Sequence, residues 1–206
     1  MLELHRADGA FEALEAYLDD AGFHGASGVV ADLYLGYGLS RVLRRTDSPD
    51  PPEPCRLPLL ACRIRAEDEP APGAAGFRIG RWERTWMDGD YHAAVESVRA
   101  AIARGDVYQV NLVQHLSAPF AGDPFALADA LAPLRPLHGR PLSGDGWTIV
   151  SASPELLLAR RADLVWTRPI KGTRPLGDHN DLAESEKDAA EHVMIVDLER
   201  NDLSRV

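Results

Sequence analysis

The stretch from Trp147 to Arg168 constrains the fold most. Two apolar strands stand there in immediate succession, ELLLAR from Glu155 and LVWTR from Leu164, separated only by the tight turn Arg161-Ala162-Asp163 and preceded by the strand-like WTIVSAS. A connection this short leaves no room for a crossover, so the strands must pair antiparallel as a β-hairpin. Helical patterns surround the hairpin. Tyr91, Val95, Val98 and Ile102 recur at helical spacing, predicting a helix from about His92 to Arg104 that Gly105 ends. Asp123-Pro124 reads as an N-cap with proline at the first helical position, opening a short helix that buries Phe125, Leu127 and Leu131. Ser185-Glu186-Lys187-Asp188 has capping-box form and opens a helix through AAEHVMIVDLER. With no internal repeat, helices interspersed with hairpin-joined strands predict an α+β fold, an antiparallel sheet flanked by helices.

Upstream, Val107 to Ser117 reads as a further strand, with Tyr108, Val110, Leu112 and Leu116 on an apolar face and Gln109, Asn111, Val113 and His115 on the other. The first segment pairs a short amphipathic helix, with Phe11, Leu14 and Leu18 on one face, with the buried-strand pattern GVVADLYLGYGL. Two Pro-, Gly- and acid-rich stretches, Asp47 to Pro58 and Glu67 to Gly76, read as linkers or long surface loops. The expected organisation is therefore a first segment over 1–76, which the resemblance below implies is shortened, and a second domain over 77–206, which it implies is the N-terminal part of a catalytic domain. At 206 residues the chain is one domain or a small domain with an appendage.

A net charge of −10 opposes binding to nucleic acid or an anionic membrane, because phosphate attraction becomes repulsion. No apolar run approaches the roughly 18 residues of a spanning helix. The acidic start, MLELHRADGAFEALEAYLDD, lacks the basic and then apolar pattern of a secretory signal, so the cytoplasm is the expected compartment. Cys55 and Cys62 fit neither a disulfide framework nor a four-ligand zinc pattern.

Chemistry concentrates at the open end of the hairpin. A ladder centred on Asp163 places Glu155 directly opposite Lys171, with β-carbons roughly 5 Å apart; a one-residue change in the turn, or a kink at Pro169, makes them diagonal neighbours. A cross-strand ion pair is the bland reading. Lys171, however, lies in PIKGT between a proline and a glycine, and Glu155 follows the Ser-Ala-Ser-Pro turn, so both project at one edge of the sheet. A desolvated lysine can act as a nucleophile, and a carboxylic acid beside a leaving hydroxyl as a general acid. Glu191 shares a helix stripe with Ile195 and Leu198 and needs a partner, either Lys187 four residues earlier or a hard cation such as Mg²⁺. Asp197, Arg200, Asn201 and Asp202 read as a hydrogen-bonded helix end. Gln109 and Asn111 line a pocket or face solvent, and His115 stands alone. There is no GxSxG elbow, P-loop, dinucleotide fingerprint or HExxH.

GDVYQVNL, SASPELLL, TRPIKGTRP and SEKDAAEHVMIVDLERNDLSRV, in this order, resemble the chorismate-binding enzymes, and within them the aminodeoxychorismate synthase type of the 4-aminobenzoate and folate pathway. The resemblance implies a layered α/β sandwich, of which this chain carries part, with roughly residues 77 to 206 matching and family members continuing well beyond Val206. It implies that Lys171 attacks C2 of chorismate to form a covalent adduct, that Glu155 protonates the departing 4-hydroxyl, and that ammonia adds at C4. It further implies substrate contacts from Gln109 and Thr173, a Mg²⁺ held by Glu191, and a glutamine amidotransferase subunit as the ammonia source. Lysine in PIKGT distinguishes this type from anthranilate synthase component I, which usually has alanine there. Glutamine at 109 departs from the lysine with which isochorismate- and salicylate-forming relatives activate water. Two alternatives stay open: anthranilate synthase component I, and a catalytically incomplete fragment that needs a complementary chain.

Overall fold

The computed structural model describes residues 1–43, 55–73, 75–175 and 185–205. In chain order the elements are β1 (Leu2–Leu4), α1 (Ala10–Asp20), β2 (Val29–Leu35), β3 (Leu60–Ala66), β4 (Phe77–Ile79), β5 (Glu83–Arg84), α2 (Asp88–Arg104), β6 (Leu116–Ser117), β7 (Phe120–Gly122), α3 (Pro124–Leu131), β8 (Leu142–Gly144), β9 (Trp147–Ile149), β10 (Leu156–Arg161), β11 (Leu164–Arg168) and α4 (Glu186–Leu203). Short 3₁₀ turns cover Phe23–Gly25, Tyr37–Leu43 and Ala132–Leu134. Every strand pairing is antiparallel, and helices accompany the strands, so the fold is α+β. The chain forms two compact units, Met1–Ala130 with Arg140–Val150, and Leu131–Gly139 with Ser151–Val206.

The first unit is organised by β3, the middle strand of a three-stranded sheet ordered β1-β3-β2. Leu60 and Cys62, two residues apart and hence on one face, meet Ala10 and Leu14 of α1 and Leu39 to form the core. Phe11 is not part of this face, contrary to the expected stripe. It is 53% exposed, because the apolar arc of α1 runs through Ala10, Leu14, Tyr17 and Leu18. Residues 44–54, most of the first expected linker, lie outside the described residues; its described end is no loose loop, since Pro58 is fully buried. The second stretch is clasped. Arg63 and Arg140 both donate to the Glu69 carboxylate, and Arg140 also donates to the carbonyls of Glu69 and Pro70.

The expected strand over Val107 to Ser117 is corrected to its last two residues, which pair with β5. A strand exists only where a neighbour supplies the other half of its hydrogen bonds, and residues 107–115 find no ladder partner among the described residues. Tyr108 of one expected face and Val113 of the other are both largely exposed. The preceding helix begins four residues earlier than expected, at Asp88, and ends at Gly105 in the left-handed conformation. The Asp123 side chain accepts from the Phe125 N–H at the start of α3, whose Phe125, Leu127 and Leu131 are half-buried.

WTIVSAS is a strand only over Trp147–Ile149, paired with β8. The remainder forms two successive serine turns, in which Ser151 Oγ accepts from the Ser153 N–H and Ser153 Oγ from the Glu155 N–H.

Candidate active site

In the second unit the β10–β11 hairpin turns at Ala162-Asp163, so Arg161 pairs with Leu164, one residue out of the register centred on Asp163. Ala162 carries the turn at φ 52°. A bulge then shifts the ladder again, with Ala159 opposite Trp166 but Leu156 opposite Arg168. Direct opposition of Glu155 and Lys171 is therefore corrected to a diagonal relation. The ladder ends at Arg168 because Pro169 has no N–H to donate.

The two side chains nevertheless meet. The next backbone donor, the Ile170 N–H, turns to the Glu155 carboxylate and bonds Oε1 at 2.8 Å. Lys171 Nζ stands 3.9 Å from the same oxygen. The lysine side chain is mostly withdrawn from solvent, 21% exposed, whereas that of Glu155 is 45% exposed. Gly172, at φ 84°, gives the chain a left-handed step right after the lysine, a conformation that costs glycine little. Thr173 follows, exposed, two residues from Lys171.

Sequence reasoning missed the contact that ties this segment to α4. Arg174 Nη2 donates to Asp188 Oδ2 at 2.7 Å, and Asp188 is buried. The available signal was the capping box, in which Ser185 Oγ does accept from the Asp188 N–H. The hydrogen bond with Ser185 holds the Asp188 carboxyl below its ordinary range; burial opposes this, and Arg174 and then Lys187 add to it.

Glu191 lies one turn further along α4, half-buried, and makes no hydrogen bond or ion pair among the described residues, so the expected contact with Lys187 is absent. Among the described residues no three His, Cys, Asp or Glu side chains gather. Glu191 thus offers a single carboxylate arm; a cation held by it would complete its shell with water and ligand oxygens, as Mg²⁺ does. At the helix end, Arg200 pairs with Asp197 at 2.8 Å and Ser204 Oγ caps the Asn201 carbonyl. Gln109 belongs to the first unit, half-buried, with Nε2 donating to Asn111 Oδ1 at 2.9 Å. His115 contributes its backbone carbonyl, which accepts from the N–H and hydroxyl of Thr85. No helix among the described residues is long and apolar enough to cross a membrane.

The chain is similar to an anthranilate synthase component 1 of Haloarcula marismortui, 46% identical over 121 residues, covering 54% of this chain and 25% of that protein. It is 42% identical over 149 residues to anthranilate synthase component 1 of Thermus thermophilus, covering 66% of this chain and 32% of the relative. Aminodeoxychorismate synthase component 1 of Bacillus subtilis is 38% identical over 136 residues, 62% of this chain and 29% of the relative. The chain thus spans about a quarter to a third of the length of these relatives. A family model described as chorismate binding enzyme matches residues 30–206, which include the hairpin, the Lys171 segment and α4. The chain belongs to the chorismate binding enzyme family.

Proposed function

We propose that this chain takes part in the amination of chorismate to 4-amino-4-deoxychorismate, with Lys171 as nucleophile and Glu155 as its proton partner. The observation that carries the reading is the lysine of PIKGT standing 3.9 Å from a carboxylate that its own backbone grips through Ile170. An ammonium is no nucleophile, so in this reading Glu155 takes the proton once the pair closes from 3.9 Å to hydrogen-bond reach or is bridged by one water. Attack of the neutral amine on C2 would displace the 4-hydroxyl, and the same proton, returned by Glu155, would let that group leave as water. Glu155 would then take the proton of the adduct nitrogen. Ammonia adding at C4 would expel Lys171, which recovers that proton from Glu155 as it departs. Thr173 and Gln109 would contact the substrate. Glu191 would hold a Mg²⁺, whose charge neutralises and orients the dianionic substrate.

The ammonia source in this reading is a glutamine amidotransferase subunit, in keeping with relatives named component 1. The cytoplasm remains the proposed compartment. Two further readings have observations behind them. The 46% and 42% identical relatives are named anthranilate synthases, which favours that product. Coverage of a quarter to a third of the relatives favours an incomplete catalytic piece completed by another chain.

The test incubates the purified chain with chorismate, Mg²⁺ and ammonium beside Lys171→Ala, with products identified by mass spectrometry. Lysine-dependent 4-amino-4-deoxychorismate is the expected result. Anthranilate with release of pyruvate would replace the reading by the second. No turnover by a folded chain would leave the incomplete piece as the better account.

A further inference from the structure

The segment from Pro169 to Pro175 carries Lys171 with no strand or helix hydrogen bonding of its own. Two carboxylates hold it instead. On the N-terminal side of the lysine, Glu155 grips the Ile170 N–H at 2.8 Å; beyond it, Asp188 grips the Arg174 guanidinium at 2.7 Å. Arg174 lies three positions after Lys171, a span of at most about 11 Å of extended chain. Fixing both ends therefore leaves the lysine little freedom to wander. The second anchor is itself rigid. Asp188 is 8% exposed and sits in the first turn of α4, its N–H fastened to Ser185 Oγ.

We propose that Arg174 and Asp188 are positioning residues: their ion pair sets where the Lys171 amine stands relative to Glu155 and to α4, which bears Glu191 one turn beyond Asp188. The proposal rests on the reading of Lys171 as nucleophile. A pair that merely steadied the start of α4 would change helix stability alone. A positioning pair also changes what the lysine can reach, and a displacement of about 1 Å can lower a rate about 100-fold.

The chain has only two lysines, Lys171 and Lys187, so the amine in question is readily resolved by peptide mass spectrometry. The experiment uses the full chain as wild type, Asp188→Asn, Arg174→Gln and Arg174→Lys. The rate of Lys171 acetylation under limiting acetic anhydride is measured against the α-amino group of Met1, with circular dichroism reporting helix content. Releasing the segment is expected to expose the half-withdrawn lysine and raise its relative rate about threefold or more in Asp188→Asn and Arg174→Gln. Arg174→Lys, which keeps the charge, is expected to stay near wild type. In chorismate turnover, kcat is expected to fall about 100-fold in the first two variants, with KM within about threefold.

Unchanged Lys171 labelling in variants of native helix content overturns the proposal. Should Asp188→Asn lose helix content, Arg174→Gln and Arg174→Lys decide: equal labelling in the two overturns it, and restoration by lysine supports it. A chain whose labelling shifts with the variants as expected but which never turns over chorismate leaves the positioning pair standing and the incomplete piece as the better account of function. Turnover with labelling and kcat unmoved by the variants overturns the positioning pair and leaves the nucleophile reading standing.

Discussion

Glu155→Gln separates the backbone grip that the structure shows for this carboxylate from the proton role proposed for it. Oε1 accepts the Ile170 N–H at 2.8 Å and stands 3.9 Å from Lys171 Nζ. Glutamine keeps an oxygen for the N–H but gives up the negative charge and the transferable proton. At 3.9 Å the Coulomb term is about 1 kcal/mol in water, and exposed pairs measure about 0.2–1 kcal/mol; a Glu155 side chain 45% exposed belongs near that range. Glutamine should thus cost no more than about 1 kcal/mol. Alanine removes the acceptor as well, and losing a hydrogen bond to a charged group adds about 1.5–3 kcal/mol, toward the low end at so open a site. In thermal melts this separates the variants by a few degrees, at about 2–4 °C per kcal/mol for a chain of this size. Activity behaves differently. Both variants lack the proton carrier, so both should lose about 10²–10⁴-fold in kcat. Glutamine melting as low as alanine would refute the backbone grip. Glutamine retaining a tenth of wild-type turnover would refute the proton role.

Leu60 is fully buried in the middle strand of the first unit's sheet, and Leu60→Ala should cost about 2–5 kcal/mol, read from urea unfolding. A Cβ at Gly144 would collide with the Glu3 carboxylate and the Trp147 ring, which are themselves hydrogen-bonded through Nε1 at 3.2 Å. Gly144→Ala should therefore destabilise by about 1–3 kcal/mol and shift tryptophan emission to the red. The Asp188 carboxyl is held below its ordinary 3.8, so its contribution to stability is complete above that value and is lost as pH falls through the lower, folded value. Acid titration followed by circular dichroism should show part of the loss of α4 below about pH 4, and Asp188→Asn should remove that part.

Local chemistry was legible where a few adjacent residues settle the matter. The Ser185 cap, the Asp123-Pro124 start and the Gly105 stop all stand where their side chains or backbone freedom require. Longer-range geometry was legible only in part. Glu155 and Lys171 do meet, but through a two-residue turn and a bulge at Leu157-Leu158 that apolar patterning does not announce, since three consecutive leucines fit either register. Phe11 illustrates the same limit on a helix. Its spacing suits a buried face, yet the arc chosen is the one that Leu60 and Cys62 can reach.

Amino-acid order alone determined that this chain is α+β, that its strands close as a hairpin, and that a lysine and a glutamate are delivered to the hairpin's open end. Those outcomes depend on caps, turns and alternation, interactions that span a few residues. Tertiary structure decided which apolar segments found partners: Leu116–Ser117 paired with β5, while residues 107–115 found none among the described residues. It also joined Arg174 to Asp188 across 14 positions. Pairing and ion-pair formation over such separations require two distant groups to arrive at one place, and only the packed chain specifies where that place is.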